Sequence, residues 1–285
     1  MNNSQKNKLI DTSFKTIGLL FTYFGIAILA ILLYKIVHAG YTRINWEFLT
    51  SLPSRKPEKA GIYTAIIGTL DLMVLTIIIA IPIGVGAGIY LEEYTKKTKL
   101  SLLLEINIAN LAGVPSIIYG LLGLGIFVRF FNLGESILSG ALTLSLLILP
   151  IIIVATREAI KAVPSSLKEA SFALGASKWQ TIQKVILPSS FGGILTGIIL
   201  AMSRAIGETA PLIVVGAMAY VPFIPHSLFD SFSVLPMQIF TWTTRPQAGF
   251  AIAASAAIII LLILTFAMNG IAVYFRNRWQ NKLGK

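Results

Sequence analysis

The chain has 285 residues, 55% of them hydrophobic and only 12% charged, about half the charge of an average soluble domain. Its net charge of +11 does not point to nucleic acid, because the charges sit in gaps between apolar blocks, as in membrane proteins. No cysteine is present, which excludes disulfides, Cys zinc sites and thiol chemistry.

Apolar blocks of about 20 residues are long enough to cross a bilayer. Six occur, at 17–37, 65–90, 102–128, 137–155, 189–219 and 250–275. They predict an all-α bundle of six transmembrane helices. Residues 1–16 read as a tail on the cytoplasmic side. The first block is too long for a signal-peptide core and is expected to stay as an anchor. No gap exceeds about 30 residues, so residues 17–285 read as one transmembrane domain.

Lysine and arginine set the expected orientation. Lys6, Lys8 and Lys15 precede the first span. Lys96, Lys97 and Lys99 follow the second. Arg157, Lys161, Lys168, Lys178 and Lys184 follow the fourth, and Arg276, Arg278, Lys282 and Lys285 follow the sixth. These segments alternate with the other gaps and share one side, which the positive-inside rule makes cytoplasmic. The opposite side has Lys35, Arg43, Arg55, Lys56 and Lys59, then only Arg129 and Arg245, and its first gap is the weak point of this count.

Several spans carry helix breakers. Pro82, Gly84, Gly86 and Gly88 lie in the second, Gly113 and Pro115 in the third, and Gly192, Gly193 and Gly197 in the fifth. Close helix packing and hinges both fit these positions. Asp71 is an unexpected acid within the second span. His38 and His226 are single loop histidines without companions for a metal site.

Between the fourth and fifth spans, residues 164–188 read as two short helices at an angle. Ser166 with Glu169, and Ser177 with Gln180, have capping-box spacing. Gly175 lies where a left-handed turn residue is expected. Pro188 lies where the second short helix should give way to the fifth span. Apolar faces run through Leu167, Ala170, Ser171 and Leu174, and through Trp179, Ile182, Val185 and Ile186. Such a pair suits the bilayer surface or a groove in a partner.

This segment resembles the Glu-Ala-Ala loop of binding-protein-dependent ABC importer permeases. The residues that carry the likeness are Glu169, Ala170, Ser171, Gly175, Val185, Leu187 and Pro188. Ser171 and Val185 are mild departures from the pattern. The resemblance implies a docking element for a separate ATPase subunit. This chain has no G-x-x-x-x-G-K-[ST] loop of its own, since Gly284–Lys285 is its sole Gly-Lys pair.

The string SRAIGETAPL, at 203–212, raises the question of cargo. Arg204 and Glu208 are four apart, as on one helix face. A charge at the bilayer centre costs about 3 kcal/mol and should face a cavity or a partner. At about 1.5 Å per residue from Pro188, Arg204 lies roughly 24 Å along the span. A guanidinium fork suits an oxyanion. A packing ion pair with Glu208 fits the same spacing. Ser203, Thr209 and Ser116 complete the candidate pathway, although Ser116 also suits helix packing. Arg157 reads as a topological charge that snorkels to headgroups.

The same string resembles the fifth span of phosphate-specific permeases of the PstA type. GTLDLMVLTIIIAIPIGVGAGIYLEEY (68–94) and AGVPSIIYGLLGLGIF (112–127) resemble the second and third spans. The likeness covers roughly residues 61–275. It implies a type I importer permease, itself no enzyme, that moves inorganic phosphate by alternating access. The implied partners are a PstC-type permease, two PstB-type ATPases, an extracytoplasmic PstS-type binding protein and membrane lipid. This chain is expected to bind no cofactor, with ATP and Mg held by the ATPase. Another oxyanion, such as sulfate or molybdate, or a carrier or channel without an ATPase, remains the alternative.

Overall fold

The computed structural model describes residues 3–96, 98–218 and 220–283; Lys97, Ala219, Gly284 and Lys285, used above, lie outside it. The first helix, α1 (Asn3–Gly40), runs unbroken through the predicted tail. A short α2 (Trp46–Thr50) follows, capped by the Asn45 side chain. Next come α3 (Tyr63–Ile89), α4 (Lys99–Leu111), α5 (Ser116–Gly123), α6 (Ile137–Lys161) and α7 (Ser165–Ala173). The chain continues with α8 (Lys178–Thr181), α9 (Leu187–Ile206), α10 (Ala210–Val215), α11 (Leu235–Thr243) and α12 (Ala248–Leu283).

Among the described residues, five helical stretches are long and apolar enough to cross a membrane, and the α4–α5 pair makes a sixth if counted as one span. The six-span expectation therefore stands, but two of the spans differ in shape from those expected. The third span is not straight but bends by 103° between α4 and α5. Pro115 is the cause. It takes the N-cap position of α5 with ψ 134, an extended conformation that ends a helix. Tyr119 donates its hydroxyl to the Leu111 carbonyl at 2.8 Å, which ties the two arms together.

The fifth span also ends earlier than expected, at Ile206 rather than near residue 219. Gly207 to Thr209 break the chain before α10. Beyond α10, Gly216 turns with φ 106 beneath the Glu135 side chain.

Helix α6 is the centre of the bundle, and glycine lets its neighbours approach it. A Cβ on Gly84 would meet Ile152, and one on Gly88 would meet Thr156. On the opposite flank, Gly193 faces Ala159 and Gly197 faces Ala155. Glycines four apart on α3 and α9 thus meet residues four apart on α6, a close packing that needs no polar driving force. Gly86 has open space instead.

The core between α3, α6 and α9 holds Met73, Ala80, Leu147, Ile148, Ile152 and Ala201. A second core, at the end of the bundle away from the α7–α8 hairpin, joins Phe48, Ile62, Trp242 and Phe250. Arg43 belongs to this end. Its guanidinium donates to the carbonyls of Pro57 and Ala60, each at 3.2 Å, and lies over the Phe48 ring. It holds the loop after α1, which explains its place against the charge bias.

Candidate functional site

The α7–α8 hairpin is built by local signals. Gly175 has φ 81, the left-handed region that glycine enters freely. The Ala176 amide donates to Ser171 O at 3.2 Å and the Gly175 amide to Phe172 O at 2.9 Å. These two bonds form the Schellman pattern that satisfies the last carbonyls of a helix. Ser177 and Gln180 form the expected capping box at the start of α8. Ser166 and Glu169 do not. Pro164 occupies the N-cap of α7, so Ser166 is already inside the helix and caps nothing.

Pro188 does not separate α8 from α9. A π-helical turn, Ile182–Ile186, joins them into one continuous helical stretch. Proline lacks an N–H and crowds the preceding turn, and the wider turn accommodates both defects. Ile182 and Ile186 point inward onto Ile160, with Leu187 beside them. Trp179 and Leu174 point out, Leu174 with 90% of its surface exposed. Leu167 and Phe172 are exposed beside them. Glu169 and Ala170 are exposed, while Ser171 shares a hydroxyl hydrogen bond of 2.9 Å with Thr181 across the hairpin. The hairpin therefore has an anchored face and a free apolar face.

The second part of the site lies where two helices are interrupted. Arg204 ends α9, and its Nε donates to Glu208 Oε1 at 3.2 Å. Glu208 is past the helix end, so the pair is closed by the break and not along one helix face. Arg204 remains half exposed, whereas the Glu208 carboxylate is largely covered. A Cβ on Gly120 would lie 2.7 Å from Pro211 Cα, so α5 rests directly on α10. That approach sets the interruption at Pro115 beside the one at Gly207. Tyr119 packs with Met202, Ala205 and Ile206, within electrostatic reach of Arg204.

Residues 80–281 match the model of the binding-protein-dependent transport system inner membrane component family. The chain belongs to this family. The Bacillus subtilis "Probable ABC transporter permease protein YqgI" is 32% identical to it over 84% of this chain and 86% of the relative. The Mycobacterium tuberculosis "Phosphate transport system permease protein PstA 1" is 34% identical over 91% of this chain and 85% of its own length. Among solved structures, an alginate ABC importer superposes with TM-score 0.65 at 15% identity, covering 94% of this chain and 98% of that one. The MetNI methionine ABC transporter gives 0.60 at 17%, over 76% and 97%. At such identities the likeness concerns the fold.

For a permease of this family, the remaining predicted residues fall as follows. Thr209 sits in the break and starts α10 without a side-chain cap. Ser116 is half-buried at the start of α5. Ser203 turns elsewhere, its Oγ 2.8 Å from Ile199 O and 2.9 Å from the Asn269 side chain of α12. Asn269, Tyr119 and Pro211 had no signal in sequence spacing, because tertiary packing alone brings them to α9.

Arg157 is the clearest departure. It does not reach for headgroups but is buried, donating to Glu92 Oε2 at 3.4 Å and pairing with Glu105 Oε1 at 2.9 Å. Burial near a helix end takes most of the water from a guanidinium, so two carboxylates from α4 and the end of α3 compensate it. Together with Lys161 and Lys99 these groups wall a cavity of about 640 Å³ at the hairpin end.

Proposed function

We propose that this chain is the permease subunit of an ATP-driven importer of inorganic phosphate. The observation that carries the reading is the hairpin, anchored by Ile182 and Ile186 and presenting Leu174 and Trp179 to a partner. A monomer gains nothing from leaving such side chains in water, and a groove in an ATPase subunit would cover them. Relatives named as phosphate transport permeases, at 29–35% identity over most of the chain, support the cargo.

In this reading ATP, with Mg, is held by two separate ATPase subunits of the PstB type, and this chain binds no cofactor. A PstC-type permease completes the pathway, and a PstS-type binding protein delivers phosphate from outside. The lysine and arginine bias sets both termini and the hairpin in the cytoplasm. ATP binding closes the ATPase pair and draws the hairpins together, so the bundle opens outward. Hydrolysis resets it. Arg204 offers the anion a planar, permanently charged fork. Glu208 neutralises that charge while the path is empty, and Tyr119 and Ser116 border the interruption.

Competition tests the cargo. Uptake of labelled phosphate by the reconstituted importer should persist under excess sulfate or molybdate. Inhibition by either, at concentrations similar to those of unlabelled phosphate, would reassign the cargo.

A further inference from the structure

We propose that Glu92, Glu93 and Tyr94, on the π-helical turn that ends α3, form the joint carrying hairpin motion into the bundle. The inference rests on the importer reading and deepens it. The three consecutive side chains engage three different elements. Glu92 accepts from Arg157 of α6 at 3.4 Å. Glu93 accepts from Lys168 of α7 at 2.5 Å, in a pair whose side chains are largely covered. The Tyr94 ring lies 4.9 Å beneath the Lys178 ammonium of α8.

Consecutive residues of a helix point in different directions, so one turn can hold several neighbours at once. The Tyr90–Tyr94 turn does this where α3, α6 and the hairpin come together. A push on Leu174 or Trp179 passes through α7 and α8 to Glu93 and Tyr94. It enters α3 directly and α6 through Glu92 and Arg157. The packed glycines of α3 and α9 against α6 then move the spans as one body. Ile182 and Ile186 pack the hairpin on Ile160 of α6 with Ile89 of α3 beside them, and the polar contacts of Glu93 and Tyr94 add directional ties to α3. Glu93 and Lys168 are positioning residues in this scheme.

The test uses the complete importer in vesicles, with its ATPase subunits and second permease. The chain has no cysteine, so Ile213→Cys on α10 gives a single reporter on this chain for an impermeant maleimide, with labelling read on this chain after the subunits are separated. Glu93→Lys should keep the ATPase subunits bound. It should cut ATP-dependent labelling at least about 5-fold and phosphate uptake at least about 10-fold. Glu93→Lys combined with Lys168→Glu should return both to within about 2-fold of the parent, as a paired interaction requires. The milder Glu93→Gln should give an intermediate loss should the reversal impair folding. Full ATP-dependent labelling in Glu93→Lys, or no recovery in the swap, would overturn the joint. ATP-dependent labelling in the parent without phosphate uptake would instead remove the cargo reading, while the swap still judges the joint.

Discussion

Arg204 Nε and Glu208 Oε1 lie 3.2 Å apart, one on the last turn of α9 and the other just beyond it. The helix ends between them, so the pair closes over a gap and not along a continuous face. Arg204→Ala should lower phosphate uptake at least 10-fold, roughly the loss of one charge-assisted contact, with the complex still assembled. Unchanged uptake would take Arg204 out of the pathway. Glu208→Gln unmasks the guanidinium. It should lower KM for phosphate and lower kcat as well, because the bound anion leaves more slowly.

Gly175 holds φ 81 at the hairpin turn, with open space around its Cα. A side chain there meets no neighbour, and the cost is purely conformational. Gly175→Val should destabilise the hairpin by about 1–2 kcal/mol. Co-purification of ATPase subunits should fall with it. Gly86→Ala, at an open helical position, should leave assembly intact and is the matching control.

Much of the hairpin was legible because its signals are local. Gly175, Ser177 and Gln180 act on backbone groups within a few residues of themselves. Ser166 and Glu169 had the same spacing and failed, since Pro164 starts the helix two residues before Ser166. Breakers marked the bend at Pro115, but no spacing rule gives an angle of 103°. Spacing along the chain does not reveal the burial of Arg157, because its partners, Glu92 and Glu105, come from other helices. The pairing of Arg204 with Glu208 was visible in the sequence; the break that shapes it was less so, with Gly207 and Pro211 as its local cues.

Helix packing around α6 should tolerate no added bulk at Gly197. A Cβ there would overlap the Ala155 Cβ. Gly197→Leu should lower the Tm of the detergent-solubilised protein, with a cost of about 2–3 kcal/mol from overpacking. A Tm equal to the parent's would show that α9 and α6 separate easily.

Asp230 guards the start of α6 outside the membrane-spanning segments. Its carboxylate accepts from the backbone amides of His226 at 2.8 Å and Ser227 at 2.9 Å. These two bonds hold its pKa below the usual carboxylate value. Its backbone carbonyl and that of Leu228 accept from the first amides of α6, Ile137 and Leu138. A depressed folded pKa gives stability that is full above the unfolded value, about 3.9, and is lost as pH falls through the folded one. Hydrogen-exchange protection at Ile137 and Leu138, corrected for intrinsic rates, should therefore drop on acidification below about pH 4. Asp230→Asn, which keeps an oxygen acceptor, should remove that acid dependence.

The decisive measurement is uptake of labelled phosphate, supplied with the PstS-type binding protein, into vesicles holding this chain and its second permease, with and without the ATPase subunits and ATP. Uptake should require both, and should vanish when Leu174→Asp replaces the most exposed apolar side chain of the hairpin. Full-rate uptake by this chain without an ATPase or nucleotide would contradict the account.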